Sequence, residues 1–457
     1  MIAPARRVSL RVLRDVATGR LDLADAQTRA RTTLPDSRDR ALSAEIVLGT
    51  LRWRAKLDAI IEQLSSRPLA RLDTDILDLL RMSTYQLLHL HRVPAHAVVD
   101  DAVRLARDLG KRSAAPYVNA VLRAVNKEPA AFCVPTRPSG AAKDSPVSEA
   151  DHSACLDYLS IALSHPRWLV KRWLHRVGFD ATERWTTFNN QAAPIALRVN
   201  PLLTTATQLA NELRQHDVHV TAGRYSPLTL IVTRGNPLTT PLERDGLFWA
   251  QDEASQLVGE LVTVSRDDSV LDLCAAPGGK SLVISTARTD GGLFIAGERS
   301  ARRTRALADT LAAMHARSPR IVRLDARHPP CGSVFDWVVL DTPCTGLGTL
   351  RRNPDIRWRR SLTDVRRMAT AQQELIRGAA TAVRPGGRLL YATCSSEPEE
   401  NREVVEQFLQ QAPDFTLEHP TVPQLASLVD VDGYFETSPA RDNLEGFFAA
   451  TLRRTIA

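Results

Sequence analysis

No run of about twenty consecutive apolar residues occurs in this chain of 457 residues, so a helical membrane span is not expected. The basic start, MIAPARRVSLRVLRDV, lacks a continuous apolar core and a small-residue cleavage site. It reads as an amphipathic helix rather than a leader, and the expected location is the cytoplasm. Cysteine is sparse. Six in the whole chain cannot build a dense disulfide framework, and no CxxC pair is present to hold zinc. Cys133, Cys155 and Cys331 are read as neutral packing residues. His89, His91 and His96 have no carboxylate or further histidine to complete a ligand set, so no metal is expected. Lysine is scarcer than the charge suggests: six of the 59 cationic residues, the others being arginine. The net charge of +7 favours an acidic partner, nucleic acid first.

What is present falls into three blocks joined by one weak segment. Residues 1–128 read as all helix, because Leu42, Ile46, Val47 and Leu51 recur at helical spacing, as do Ile76, Leu79, Leu80 and Leu87. Pro94 marks a turn and Gly110 a helix C-cap. Residues 129–150 are rich in Pro, Ala and Ser and read as a linker or surface loop. Residues 151–250 begin as helix, where Trp168 and Trp173 offer either stacking surfaces for bases or packing between domains, the latter being expected. They continue as a small α+β subdomain suited to RNA recognition. From 251 to 457, VLDL, GLFIAG, RIVRL, DWVVL and RLLYA alternate with helical stretches, the signature of a doubly wound, Rossmann-like α/β domain.

The chemistry gathers at the ends of these strands. FDWVVLDTPCTGLGTL (335–350) is a buried strand stopped at Asp341 and followed by Pro343, Cys344 and Gly346. The strand 388–392 likewise ends in Thr393-Cys394-Ser395. Ligands of open α/β sheets bind at such carboxyl ends. VLDLCAAPGGKS (270–281) is strand, glycine turn and helix. It lacks both the GxGxxG spacing of dinucleotide folds and the GxxxxGK[ST] spacing of phosphate loops. Its backbone can still approach a cofactor closely. Glu298 ends the next strand and suits two ribose hydroxyls, and Asp325 ends the one after and suits an adenine amine. Any one acid alone would serve equally as a helix cap. Three strand ends in register fit S-adenosylmethionine.

LDLCAAPGGK, LDTPCTGLGTLRRNPD, RPGGRLLYATCS with EPEEN, and EGFFAA together resemble the RNA 5-methylcytosine methyltransferases of the Nol1/Nop2/Sun type, over residues 160–457. AEIVLGTLRWRAKLDAII, RMSTYQLLHLHRVPAHAVVDDAV and YVNAVLRAV resemble the NusB family of helical RNA-binding bundles, over residues 5–127. The resemblance implies a cofactor set of Cys274, Ala275, Ala276, Pro277, Gly278, Gly279, Lys280, Glu298, Asp325 and Asp341. It implies Cys394 as nucleophile at cytosine C6, Cys344 in product release and Asp341 at the N3/N4 edge of the base. A thiolate at C6 makes C5 nucleophilic enough to take a methyl group. The family usually has Asp where Glu298 stands, and SPARDNLEGFFAA lacks its usual histidine. Where DNA cytosine methyltransferases carry Pro-Cys-Gln, this chain has Pro343-Cys344-Thr345. The two-module layout implies 16S ribosomal RNA or a small-subunit assembly intermediate as partner, and the protein is expected to be a monomer. A transfer RNA cytosine methyltransferase and a non-catalytic RNA-binding adaptor are the alternatives. Arg351, Arg352, Arg357, Arg359 and Arg360, just beyond the cysteine stretch, are candidates for phosphate contact.

Overall fold

The computed structural model describes residues 2–127, 132–138, 149–288, 291–316 and 319–456. Most of the expected linker therefore lies outside the described residues, and its part 132–138 carries no helix or strand. The chain divides into two compact units, residues 1–191 with 351–359, and residues 192–350 with 360–457.

The first unit is helical. Pro4–Ala17, Leu23–Thr33, Ser37–Arg52, Arg54–Leu64, Thr74–His89, Ala95–Asp108 and Ala115–Lys127 follow in order. Their starts are chemically marked: the side chains of Asp22, Asp36 and Asp73 accept from the first free amides of three of them. Gly110, at φ 78°, closes Ala95–Asp108 with paired bonds from Gly110 N to Arg107 O and from Lys111 N to Ala106 O. Ile46, Val47, Ile76, Leu79 and Leu80 are buried, while Leu42 and Leu87 are half-buried at the edge of the same core. His89 stacks on Tyr85 and Trp53, and burial lowers its pKa to about 4. Two further helices, Glu149–Asp157 and Arg167–Asn189, complete the unit together with residues 351–359. Trp173 is fully buried and stacks on Trp185 at 4.5 Å, a packing role.

The second unit holds two sheets. Strands β1 (Ala196–Val199), β2 (His219–Ala222), β3 (Thr229–Arg234) and β4 (Phe248–Ala250) form an antiparallel sheet in the order β2-β3-β1-β4. The helix Ala206–Gln215 packs on it, started by a Thr205/Gln208 capping box. The large sheet comprises β5 (Val270–Leu273), β6 (Phe294–Glu298), β7 (Arg320–Arg323), β8 (Phe335–Asp341), β9 (Val383–Thr393), β10 (Phe415–Glu418), β11 (Phe435–Thr437) and β12 (Phe447–Arg454). Its order is β10-β12-β9-β8-β5-β6-β7, with β11 also on β12. The strands β7, β6, β5, β8 and β9 are parallel, as the βα alternation predicts, but β12 runs antiparallel to β9 and carries β10 and β11 the same way. The sheet is therefore mixed: the helix Arg402–Gln411 leads from β9 to β10, which runs parallel to β9, and β12 inserts antiparallel between them, reached from β11 through only the short helix Pro439–Asp442. After β7 the chain returns to the other side of β5. That reversal puts the β5 and β8 ends side by side, the switch point where such sheets bind ligands.

Candidate active site

The turn after β5 is held by its glycines. Gly278 lies at φ 113°, a region that side chains resist, and a Cβ there would meet the Leu307 side chain at 3.1 Å. Gly279 opens the helix Gly279–Ala287. Its neighbour Lys280 is buried, donates from Nζ to Asp341 Oδ2 at 2.6 Å, and sits 5.5 Å from the Phe447 ring centre. Burial disfavours the ammonium, but Asp341 outweighs that, and the Lys280 pKa is raised above its ordinary value. The turn after β5 and the end of β8 are thus joined by an ion pair.

Beyond Asp341, the two cysteines meet. Cys344 Sγ and Cys394 Sγ are 3.0 Å apart, at the ends of the adjacent parallel strands β8 and β9. The hydrogen bond with Cys394, followed by burial, pushes the Cys344 thiol well above the ordinary thiol range. The approach is secured by a backbone contact. Gly348 N donates to Cys394 O at 2.9 Å, and Gly446 N donates to Gly348 O at 2.8 Å. A Cβ on Gly348 would lie 1.9 Å from Gly446 O, so only glycine fits there.

On the other side of the switch point, Cys274, Glu298 and Asp325 line one cavity of about 330 Å³ with Pro343, Met368 and Leu375. Glu298 Oε1 accepts from Ser300 N at 2.9 Å, while Oε2 is buried and accepts no hydrogen bond, with Arg303 Nη2 3.5 Å away. An acid that lines a cavity and keeps one oxygen free of hydrogen bonds could take a ribose hydroxyl, and S-adenosylmethionine has two. Asp325 gives both oxygens to Arg327, whose hydrogen bonds hold its pKa at about 2. An adenine amine would share that carboxylate. Burial, with Glu298 next in effect, pushes the Cys274 thiol up to about 12. Of the remaining turn residues, Ala275 and Ala276 pack into an apolar cluster with Leu307 and Leu311, and Pro277 is exposed.

Residues 260–453 match the family model described as 16S rRNA methyltransferase RsmB/F, residues 3–127 that of the NusB family, and residues 165–239 that of an RsmF/B-like ferredoxin-like domain. A relative from Synechocystis, named probable ribosomal RNA small subunit methyltransferase B, is 32% identical over 98% of this chain and 99% of its own. The chain belongs to the RsmB/F methyltransferase family. A Pseudomonas putida member, named ribosomal RNA small subunit methyltransferase B, is 31% identical over 89% of each chain. The crystal structure of PH0851 superposes with a TM-score of 0.80 over 99% of both chains at 25% identity. Residues 3–127 are accordingly NusB-like, residues 165–239 ferredoxin-like, and residues 260–453 the methyltransferase domain.

Within this family fold the arginine candidates separate. Arg357 is fully buried, and its guanidinium donates to Arg52 O, Ser164 O, Asn189 O and Asn190 Oδ1 at 2.9–3.1 Å. That corrects the expectation of phosphate contact, because its charge faces backbone carbonyls of the first unit. Arg351 lies 4.4 Å over the Phe188 ring, Arg359 pairs with Asp355 at 3.3 Å, and Arg352 is half-buried. Arg360 donates to Thr345 O at 3.0 Å, beside Cys344. Sequence reasoning missed Glu400, Gln372, Gly348 and Gly446. The Thr and Ser that directly follow the two cysteines were the available signal for the first of these.

Proposed function

We propose that this chain methylates C5 of a cytosine in 16S ribosomal RNA, with S-adenosylmethionine as donor and a covalent bond between Cys394 Sγ and cytosine C6. The 3.0 Å approach of the two sulfurs beside the Lys280–Asp341 pair carries the reading. Bound in the cavity, the cofactor supplies an electrophilic methyl group. Glu298 takes the ribose hydroxyls and Asp325 the adenine edge, with the 274–280 turn alongside. Asp341 holds the N3/N4 edge of the base. Cys394 thiolate adds to C6 and makes C5 enamine-like, so that C5 accepts the methyl group. The C5 proton then leaves, the C6–S bond breaks, and the thiolate of Cys394 is restored. The Cys344 thiol, its pKa raised, stays protonated within 3.0 Å of the Cys394 sulfur, where it can assist release.

The substrate is naked ribosomal RNA or a small-subunit assembly intermediate, met in the cytoplasm by a monomer. The bundle 1–128 and the subdomain within 151–250 would bind RNA for the methyltransferase domain 251–457, with Arg351, Arg352, Arg359 and Arg360 as candidate contacts. The target base must leave its stack to reach the cysteines. Cys394→Ala should abolish transfer, and Cys344→Ala should accumulate a protein–RNA adduct that migrates slowly on a denaturing gel. Bisulfite sequencing of RNA with and without the protein names the target. No adduct would remove the release role of Cys344. Unchanged 16S RNA with altered transfer RNA would replace the ribosomal reading by the transfer RNA one.

A further inference from the structure

Glu400 is fully buried in the turn Pro398–Glu400, directly after β9 and the second cysteine. Among the described residues no cation pairs with it. Its carboxylate is satisfied by four donors of the chain. Thr345 N and Gln372 Nε2 donate to Oε1 at 2.8 and 3.1 Å, and the hydroxyls of Thr345 and Ser395 donate to Oε2. Thr345 follows Cys344, and Ser395 follows Cys394. All three donor residues are buried. Neighbouring bonds brace the same peptides: Gln372 Nε2 donates to Pro343 O at 3.0 Å, Tyr391 Oη to Glu400 O at 2.6 Å, and Asn401 Nδ2 to Ser395 O at 2.9 Å. Burying a carboxylate without a counter-ion costs several kcal/mol unless its acceptors are filled. Stability alone gives no reason to keep one here.

We propose that Glu400 is the positioning residue of the cysteine pair: one carboxylate ties the residue after Cys344 to the residue after Cys394 and so sets the separation and aim of the two sulfurs. The inference rests on the two-cysteine reading of the site. Displacement of a reacting group by about 1 Å costs on the order of a hundredfold in rate, so the tie is worth its burial. The charge also contributes, since Glu400 is among the groups that raise the Cys344 pKa. Geometry and charge are separable, because glutamine keeps the shape and a carbonyl acceptor while removing the charge.

Two measurements on the full-length protein test this. The first needs no RNA. Diamide oxidises two adjacent thiols to a disulfide, taking up two electrons and two protons, and mass spectrometry follows closure of the Cys344–Cys394 bond. Wild type and Glu400→Gln should close at similar rates, and Glu400→Ala about tenfold or more slower, as expected for a tie that sets spacing. The second is methyl transfer. Glu400→Ala should lower kcat about a hundredfold with KM for RNA within about threefold, and Glu400→Gln should recover most of the rate. Should the alanine variant not fold, Thr345→Val removes one hydroxyl link at constant shape and should show the same pattern, smaller, about tenfold in kcat. Closure at the wild-type rate in Glu400→Ala or, failing that, in Thr345→Val overturns the proposal, as does a failure of Glu400→Gln to restore closure. A wild type that closes in a Glu400-dependent way but methylates no RNA would sink the functional reading and leave the positioning role standing.

Discussion

At the ends of β8 and β9 the buried acid Glu400 gives both oxygens to four donors of its own chain. At the end of β6 the buried acid Glu298 behaves differently: its Oε2 accepts no hydrogen bond, with Arg303 Nη2 3.5 Å away. The two regions share one sheet and one level of burial, so solvent does not explain the contrast. A saturated buried acid has nothing left to bind and can only hold the protein in place. An acid with an orphan oxygen costs stability until something supplies a donor. The contrast divides the candidate site into a region whose buried acid is saturated by the chain itself and a region whose acid lines a cavity with one acceptor unused. Arg357 repeats the first pattern in the helical unit, where a cation is consumed by carbonyls.

The sharpest break in this comparison is in stability. Glu400→Ala leaves the Thr345, Ser395 and Gln372 donors unpaired and should cost about 4 kcal/mol in denaturant unfolding, whereas Glu298→Ala should cost under about 1. Equal losses would erase the distinction between held and open acids. Arg357→Met should cost about 3 kcal/mol in unfolding of the first unit, through three orphaned carbonyls, and should leave RNA affinity near wild type. A loss of RNA affinity without a loss of stability would return Arg357 to the RNA surface.

The Asp272 carboxyl is pushed up to about 7, chiefly by burial and against a hydrogen bond from Ser281. Its folded pKa lies above the unfolded value of about 4, so the native state holds a proton that the unfolded chain releases. Stability should therefore fall as pH rises through roughly 4 to 7 and level off above. Asp272→Asn should remove that slope, with a gain at pH 8 of up to about 4 kcal/mol; parallel pH profiles for the two proteins would contradict this. The smallest effect belongs to Glu298→Gln, which exchanges one ribose-facing acceptor for an amide nitrogen. Calorimetry should show S-adenosylmethionine binding about tenfold weaker, near 1.4 kcal/mol, with little change in unfolding. Unchanged affinity would move the ribose elsewhere.

Much of the candidate site is legible in the sequence because it is local. Asp341-Thr342-Pro343-Cys344 announces its own strand end, since Pro343 cannot continue a ladder, and Cys394 follows an apolar strand in the same way. The glycine turn 278–279 is equally self-declaring. Glu400 was not legible in this sense. EPEEN presents three acids within four residues, and nothing local says which one turns inward to four donors up to 55 residues away. Arg357 misled for the same reason. RRNPDIRWRR has the charge density of a phosphate-binding segment, but its carbonyl partners are 168–305 residues away along the chain. Strand β12 is reached from β11 with only the four-residue helix Pro439–Asp442 between them, too short to mark a crossover, so periodicity alone could not orient it.

The sequence by itself determined the helical first block, the βα alternation, the two thiols and the acids at strand ends, because each depends on residues within a few positions of one another. Only the tertiary structure decided that the two sulfurs stand 3.0 Å apart, that Lys280 answers Asp341, that one arginine is spent inside the first unit and that Glu400 binds both cysteine turns. Those outcomes depend on which buried donors and acceptors find each other once water is excluded. That matching is a property of distance in space, which spacing along the chain does not carry.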